Sequence, residues 1–189
     1  MPAVTASGAA PPGAAASRPI VLVGMMGSGK STVGRRLAAR LGRRFVDADK
    51  VLEERCGVPI ATIFELEGED GFRRREAAIL DELSRLPEIV LATGGGAVTR
   101  DENRRIMAER GLVVYLQASI ADLWQRLRRD RARPLLQTAN PRERIAELLA
   151  EREPLYREIA DIVAVSARQP VDDLVADIIE RLPAEFRAG

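Results

Sequence analysis

The chain has 189 residues, of which 46% are hydrophobic and 30% charged, and its formal net charge is +1. This length and composition predict one globular domain with a full core. A charge so close to neutral gives no reason to expect nucleic acid or an anionic membrane as a partner. Histidine is absent and Cys56 is the single cysteine, which excludes a Ser-His-Asp triad, a histidine-ligated metal and an internal disulfide. Chemistry must therefore rest on Asp, Glu, Lys, Arg and a hard metal ion.

Residues 1–19 are rich in Ala, Pro, Gly and Ser, and Arg18 is their only charged residue. They lack the basic and continuous apolar regions of a signal peptide, and one arginine is too few for an organelle transit peptide. We predict a disordered extension, because the segment offers almost nothing to bury. No apolar run approaches membrane-spanning length, and a single cysteine fits a reducing compartment such as the cytoplasm.

A glycine-rich loop follows the first predicted strand, Ile20–Val23, and fits the pattern G-x-x-x-x-G-K-[ST] over residues 24–31. Backbone N–H groups of such a loop point at a phosphate chain, the lysine reaches the β- and γ-phosphates, and the serine hydroxyl ligates Mg²⁺. A helix predicted over Ser31–Leu41 and ended by Gly42 would place the phosphates at its N-terminus. An accidental glycine-rich turn is the alternative, but strand, loop and helix occur in the required order. The predicted ATP-binding residues here are Gly27, Ser28, Gly29, Lys30, Ser31 and Thr32.

A pair of aspartates, Asp47 and Asp49, lies at the carboxyl end of the second predicted strand, Arg44–Asp47. One of them can serve Mg²⁺ while the other faces an acceptor hydroxyl. The alternative is structural, because Asp49 can also cap a helix that begins at Lys50. Three helices are predicted before the next strand, an excess that indicates a substrate-binding insertion at about 50–86; they span Lys50–Cys56, Ile60–Leu66 and Glu69–Leu86.

The third predicted strand, Glu88–Ala92, leads into Gly94-Gly95-Gly96. Three glycines in a row after a strand indicate a backbone that a ligand approaches closely, with a plain turn as the alternative. The remaining predicted elements are a helix Asp101–Arg110 capped by Thr99, a strand Leu112–Leu116, a helix Ile120–Asp130 capped by Ser119, a helix from Asn140-Pro141, a strand Ile162–Val165 and a helix Val171–Leu182. Strands that alternate with helices predict a parallel sheet covered on both faces, with ligands at the carboxyl ends of the strands.

Two arginine clusters are candidates for anion binding. Successive helical residues point about 100° apart, so one pocket can receive one of Arg73, Arg74 and Arg75, and Glu76 can hold Arg73 in place. The second cluster runs from Arg126 to Arg133 and ends in a loop that can close over a triphosphate as a lid, at about 126–140. A solvated helix face is the alternative for the first cluster and is expected for two of its three arginines. A solvated basic surface is the alternative for the second cluster.

Six segments together resemble the shikimate kinase family in order and spacing, from Ile20 to the last helix: GMMGSGKSTVGRRLA, FVDAD, FRRRE, ATGGGAV, RPLL and REPLY. The resemblance implies a three-layer α/β/α fold with a five-stranded parallel sheet, of the nucleoside monophosphate kinase type among P-loop NTPases. It also implies transfer of the γ-phosphate of ATP to the 3-hydroxyl of shikimate, on the route to chorismate. A Mg²⁺-dependent cytoplasmic monomer is expected, with one kinase domain over residues 20–185.

The resemblance also implies roles for individual residues. Shikimate is expected at Asp49, Arg73, Gly95 and Arg152, with Gly94 and Gly96 beside them. Lys30, Asp49 and Arg133 are the expected catalytic residues, and Arg126, Arg133 and Arg168 are expected near the nucleotide. Ser31, with Asp47 through water, matches the Mg²⁺ site. Ala92-Thr93 occupies the place after the third strand where other P-loop enzymes carry an aspartate, a departure that the family shares.

Two other interpretations remain open. One is another small-molecule kinase of the same architecture, such as a gluconate or nucleotide kinase; the set Asp49, Arg73 and Arg152 and the GGGAV segment argue against it. The other is a catalytically silent P-loop binding module. Intact Lys30, Ser31, Asp49 and Arg133 argue against that interpretation.

Overall fold

Five parallel strands form one sheet in the order β2-β3-β1-β4-β5. The computed structural model describes residues 18–128, 136–166 and 169–187. The strands are β1 Ile20–Val23, β2 Arg44–Asp47, β3 Ile89–Ala92, β4 Leu112–Gln117 and β5 Ile162–Val165. The helices are α1 Lys30–Arg40, α2 Ala48–Cys56, α3 Ile60–Leu83, α4 Asp101–Arg110, α5 Ile120–Leu127, α6 Pro141–Ile159, α7 Val171–Arg181 and α8 Ala184–Arg187. The predicted five-stranded parallel α/β fold is confirmed.

The core consists of two apolar clusters, one on each face of the sheet. Successive residues of β1 alternate between them, because side chains of a strand point to opposite faces. Ile20 and Leu22 join the cluster that includes Leu37 of α1, and Val21 and Val23 join the cluster on the other face. Both faces of β1 and β3 are fully buried, which explains why these strands are continuous apolar runs. The buried sheet fixes the loops at its carboxyl edge.

Helix α2 begins two residues earlier than its sequence pattern indicates. Its N-cap is Asp47, whose Oδ1 accepts a 3.4 Å hydrogen bond from the Lys50 N–H. The interpretation of Asp49 as the N-cap is therefore wrong, and Asp49 lies in the first turn. A short side chain at the end of a strand is well placed to accept from the first turn of the following helix.

Several other boundaries differ from the sequence predictions. The two helices expected on either side of Gly68 form one element, α3, with a kink where Gly68 has φ 69° and ψ −175°. Thr99 does not cap α4, because its hydroxyl donates to the Gly96 carbonyl at 2.7 Å and belongs to a 3₁₀ turn over Ala97–Thr99. The Ser119 cap is confirmed. Helix α5 ends at Leu127, and the last two residues of its predicted span, 129 and 130, lie outside the described residues.

The residues that lead into β1 contact the domain. The Arg18 Nη2 group donates to the Gly111 carbonyl at 2.7 Å, and the Leu112 N–H donates to the Pro19 carbonyl at 2.9 Å. The first 17 residues of the predicted extension lie outside the described residues. Within the described ranges, no helix combines the length and the apolar character needed to cross a membrane.

Candidate active site

One cavity of about 660 Å³ opens at the carboxyl ends of β1, β2 and β3. The glycine-rich loop forms one wall, and α2, α3 and α6 contribute the others. Its lining contains most of the described residues that the sequence nominates: Gly27, Gly29, Lys30, Ser31, Thr32, Asp47, Asp49, Arg73, Gly94, Gly95, Gly96, Arg126 and Arg152. The fold therefore brings together residues from six separate segments of the chain. Arg133 and Arg168 lie outside the described residues.

The glycine-rich loop has the backbone that phosphate binding requires. Gly27 and Gly29 have φ angles of 77° and 97°, in the region that side chains disfavour. Gly29 is the N-cap of α1, so the first N–H groups of the helix and its positive dipole end face the cavity. The Lys30 ammonium is buried and donates to two carbonyls of the loop, Gly24 at 2.7 Å and Met25 at 2.9 Å. The loop thus carries a cation at the point where a phosphate chain would lie.

Ser31 and Asp47 present two hard oxygen ligands beside the loop. The Ser31 hydroxyl donates to Asp47 Oδ2 at 2.7 Å. Among the described residues no group of three His, Cys, Asp or Glu side chains could hold a metal. A divalent ion here would take few protein ligands, which suits Mg²⁺, since that ion keeps several waters and phosphate oxygens in its shell.

Asp49 and Glu76 face the Gly94 position from two helices. A Cβ atom on Gly94 would lie 3.0 Å from Asp49 Oδ1 and still closer to Glu76 Oε1. Burial raises the pKa of the Glu76 carboxyl and the nearby Asp49 raises it further, although Arg73 acts in the opposite direction. Glu76 Oε1 is buried and has no hydrogen-bond partner among the described residues. Carboxylate oxygens therefore point into the cavity at the end lined by Asp49, Glu76 and Gly94. We call this end the acceptor side.

Arg73 is the member of its cluster that faces the cavity. Its guanidinium is buried, with Nη1 2.8 Å from Glu76 Oε2 and Nη2 3.1 Å from Glu69 Oε1. Burial lowers the pKa of Arg73, but its two carboxylate partners outweigh burial and the net shift is upward. Arg74 is exposed, and Arg75 is exposed and paired with Glu67. The expectation that one arginine of the three enters the pocket, held by Glu76, is confirmed.

Arg152 is a buried cation with unused donors. Its side chain belongs to α6, the residue is 2% exposed, and Nε and Nη1 have no hydrogen-bond partner among the described residues. Its positive charge lowers the pKa of Glu76, and both residues line the cavity. A buried charge is costly unless it is paired. An anion in the cavity would pair with this charge.

The three glycines make room for protein side chains as well as for a ligand. A Cβ atom on Gly96 would overlap the Arg73 guanidinium, and one on Gly94 would overlap Glu76. Gly95 instead adjoins the phosphate loop, where a Cβ atom would lie 3.0 Å from the Met26 nitrogen. The sequence indicated ligand contact alone, because it did not reveal which helices pack against the turn.

Two site residues are not indicated by sequence reasoning. Ser166, at the end of β5, donates to the Ser28 carbonyl at 2.7 Å and accepts from Arg126 Nη1 at 3.2 Å. Arg126 Nη1 also donates to the Gly27 carbonyl at 3.0 Å, which places Arg126 against the phosphate loop. Tyr156 donates to the Gly95 carbonyl. Ser166 carries no sequence signal, whereas Tyr156 lies within the segment REPLY, one helical turn after Arg152.

The fold and the cavity together define a P-loop kinase. A phosphate-binding loop, oxygen ligands for a divalent ion, a carboxylate beside the acceptor side and a buried arginine with free donors are the parts of an enzyme that phosphorylates a small anionic alcohol.

Comparison with known proteins identifies the family. The family model for shikimate kinase matches residues 26–183. A shikimate kinase of Bordetella avium is 54% identical over 166 residues, which cover 88% of this chain and 79% of the relative. A shikimate kinase of Nitrosospira multiformis is 51% identical over 188 residues, which cover 100% of this chain and 96% of the relative. The chain therefore belongs to the shikimate kinase family, and it is an ATP-dependent phosphotransferase with an alcohol acceptor.

Solved structures agree with this assignment. The shikimate kinase from Acinetobacter baumannii, solved in complex with shikimate, has a TM-score of 0.85 at 47% identity and covers 87% of this chain, with 92% of its own chain covered. A gluconokinase from Sinorhizobium meliloti has a TM-score of 0.59 at 23% identity, with 87% of this chain and 91% of that chain covered. The second likeness shows that the fold is shared with kinases of other substrates. The acceptor is therefore decided by the family and the site. A kinase that uses ATP also requires a divalent metal ion.

Proposed function

We propose that this cavity transfers the γ-phosphate of ATP to the 3-hydroxyl of shikimate, with shikimate 3-phosphate and ADP as products. The observation that carries the proposal is Arg152. Its Nε and Nη1 are buried without a partner among the described residues, in the same cavity as the phosphate loop. A carboxylate on the acceptor can accept from this guanidinium in a charge-assisted hydrogen bond. Shikimate carries that carboxylate together with ring hydroxyls.

The acceptor contacts that we propose are Asp49, Arg73, Arg152 and the turn Gly94, Gly95 and Gly96. Arg152 and Arg73 hold the substrate carboxylate, and Glu76 keeps the Arg73 guanidinium in place through its 2.8 Å contact. Asp49 faces the acceptor hydroxyl and either orients it or takes its proton. Backbone donors of the glycine turn contact the ring hydroxyls.

The nucleotide contacts that we propose are Gly27, Ser28, Gly29, Lys30, Ser31, Thr32, Arg126, Arg133 and Arg168. Lys30 exchanges its carbonyl partners of 2.7 and 2.9 Å for phosphate oxygens when ATP binds. The proposed roles of Arg133, as the arginine that reaches the transferring phosphoryl group, and of Arg168, near the adenine, rest on the family resemblance alone.

The divalent ion that we propose is Mg²⁺, held by Ser31 and, through water, by Asp47. The two oxygens lie 2.7 Å apart and are hard ligands of the kind that Mg²⁺ prefers. When bound with ATP, the ion neutralises charge on the β- and γ-phosphates. Ser31 and Asp47 orient that ion toward the phosphate end of the cavity.

We also propose that the enzyme is a cytoplasmic monomer with one kinase domain over residues 20–185. The substrate-binding insertion at about 50–86 and the lid at about 126–140 belong to that domain. Contacts of α2 and α3 with the cavity support the insertion, because both helices contribute lining residues. The oligomeric state can be measured by light scattering at the concentration used for kinetics.

A coupled ADP-release assay tests the proposed function. Full-length protein, Mg²⁺ and ATP are offered shikimate, gluconate or a nucleoside monophosphate in separate reactions. ADP release that depends on shikimate supports the proposal. Gluconate is the sharpest competitor because it also carries a carboxylate and hydroxyls, and ADP release that depends on gluconate instead would overturn the proposal. Folded Lys30→Ala protein is the negative control, because it removes the cation of the phosphate loop. Shikimate 3-phosphate is identified by mass spectrometry.

A further inference from the structure

Tyr156 connects the acceptor arginine with the glycine turn. It lies on α6 one turn after Arg152, and the side chain is fully buried. Its hydroxyl donates to the Gly95 carbonyl across 61 residues of sequence. The positive charge of Arg152 acts on this hydroxyl and lowers its pKa, against the larger effect of burial. One phenol therefore contacts the glycine turn from the helix that carries Arg152.

The phenol ring itself is held in one orientation. It stacks on the ring of Tyr115 from β4, with centroids 5.0 Å apart and an angle of 21° between the planes. Stacking on a residue of the central sheet fixes the direction of the Tyr156 hydroxyl. Burial raises the pKa of that hydroxyl further above its ordinary value, although the nearby arginines lower it. The group consequently remains a protonated donor throughout the pH range of enzyme assays.

Gly95 lies between the acceptor residues and the phosphate loop, so the position of its peptide affects both. Its carbonyl is held by Tyr156, and its Cα faces the phosphate loop at the Met26 nitrogen. The neighbouring glycines adjoin Glu76 and Arg73. A rotation of the Gly95 peptide would therefore change the turn that lies between the acceptor residues and the phosphate loop.

We propose that Tyr156 is a positioning residue of the acceptor site. Its hydroxyl holds the Gly95 carbonyl and so sets the place of the glycine turn relative to Arg152 and Arg73. The inference rests on the proposed function for the identity of the acceptor, a small alcohol with a carboxylate. Tyr156 acts through Gly95 and is not assigned a contact with the reacting atoms.

The experiment compares Tyr156→Phe with Tyr115→Phe in the full-length enzyme. Both variants lose one buried phenol hydroxyl and keep the stacked ring. The Tyr115 hydroxyl is buried and has no hydrogen-bond partner among the described residues, so its removal is the matched control. The measurements are kcat and KM for shikimate and for ATP, the Kd of shikimate by calorimetry, and the melting temperature.

Tyr156→Phe should raise the KM and Kd of shikimate by about three- to tenfold, the loss expected for one buried hydrogen bond. The KM of ATP should change far less, and the ratio of shikimate KM values should not vary with pH. Tyr115→Phe should leave the shikimate constants at their original values. A purely structural role would lower the melting temperature without this split between the two substrates.

Two results separate this inference from the proposed function. If the unsubstituted enzyme turns over shikimate but Tyr156→Phe leaves its KM and Kd unchanged, or changes them no more than Tyr115→Phe does, Tyr156 is not a positioning residue. If the unsubstituted enzyme neither binds nor phosphorylates shikimate, the proposed function itself is wrong. Equal increases in the KM of ATP and of shikimate would also overturn the inference, since they indicate a general loss of the site.

Discussion

Two aspartates two residues apart have different surroundings where β2 meets α2. Asp47 accepts from the Ser31 hydroxyl of the phosphate loop at 2.7 Å through Oδ2, and its Oδ1 caps α2 at the Lys50 N–H. Asp49 lies one position into the helix, and its Oδ1 faces Gly94 on the acceptor side. The change from strand to helix between the two residues directs their side chains toward different substrates.

Asparagine substitutions at these positions should therefore give different defects. Asp49→Asn should lower kcat with shikimate by at least about 10²-fold if the carboxylate takes the proton of the hydroxyl. Asp47→Asn should instead raise the Mg²⁺ concentration needed for half-maximal activity, because it removes one charge beside Ser31. Initial rates over a matrix of shikimate and Mg²⁺ concentrations measure both effects. Equal loss of kcat in the two variants at saturating Mg²⁺ would contradict this division of roles.

At the scale of elements, the glycine turn after β3 is the point where helices α3 and α6 meet the phosphate loop. Gly96 has φ −95° and ψ 1°, a backbone that alanine can adopt, so a substitution there acts through its side chain alone. The added Cβ would overlap the Arg73 guanidinium. An alanine substitution in this turn therefore tests whether Arg73 binds the acceptor.

Gly96→Ala should displace Arg73 and raise the KM of shikimate, with a much smaller effect on the KM of ATP. Gly42→Ala is the control. Gly42 has φ 66°, and among the described residues nothing beyond its chain neighbours lies within 4 Å of its Cβ position, so alanine there meets backbone strain only. That strain should cost about 1 kcal/mol of stability and leave both KM values unchanged. Steady-state kinetics and thermal melts on both variants distinguish the two effects. An unchanged KM for shikimate in Gly96→Ala would remove Arg73 from the acceptor site.

Sequence reasoning identified the elements whose signals are local. The phosphate loop, the five strands and the Ser119 cap follow from residues that are adjacent in the chain. The start of α2 and the kink in α3 did not follow, because a helix can extend through Ala48 or bend at Gly68 at little local cost, and tertiary packing decides. Helical geometry indicated one arginine of three, and the structure identifies it as Arg73.

Other site residues could not be predicted from local sequence patterns. Ser166 and Tyr156 reach backbone carbonyls that are 138 and 61 residues away. A hydroxyl that bonds to a distant carbonyl carries no motif of its own, because the acceptor is present in every residue. Such contacts become visible only once the sheet order is known.

At the scale of the whole molecule, the buried Glu76 makes stability depend on pH. Burial raises its pKa in the folded state, so the folded protein holds this proton more tightly than the unfolded chain does. The associated stability is fully present below the unfolded pKa and is lost as pH rises through the folded pKa. The acceptor site therefore keeps a carboxylate at the expense of stability at neutral pH.

Glu76→Gln should reveal this loss. The amide oxygen can still accept from Arg73, but it does not ionise. The melting temperature of the variant relative to the unsubstituted protein should rise from acid to neutral pH, because only the unsubstituted protein loses stability at Glu76 in that interval. Thermal melts of both proteins in buffers from acid to neutral pH measure the difference. Glu69→Gln, at the exposed carboxylate partner of Arg73, is the control variant. A difference that falls with increasing pH would mean that the pair with Arg73 outweighs burial.

The junction between the N-terminal segment and the domain gives the last prediction. Removal of residues 1–17 should leave stability and turnover nearly unchanged, because their composition offers little to bury. Removal of residues 1–19 also deletes Arg18 and Pro19, whose contacts with Gly111, Arg43 and Leu112 measure 2.7, 2.8 and 2.9 Å. Loss of these bonds should lower the free energy of unfolding of the longer deletion by about 1–3 kcal/mol. Each kcal/mol corresponds to about 2–4 °C of melting temperature. Calorimetry on both truncated proteins checks the difference. An equal loss of melting temperature in the shorter deletion would show that residues 1–17 stabilise the domain.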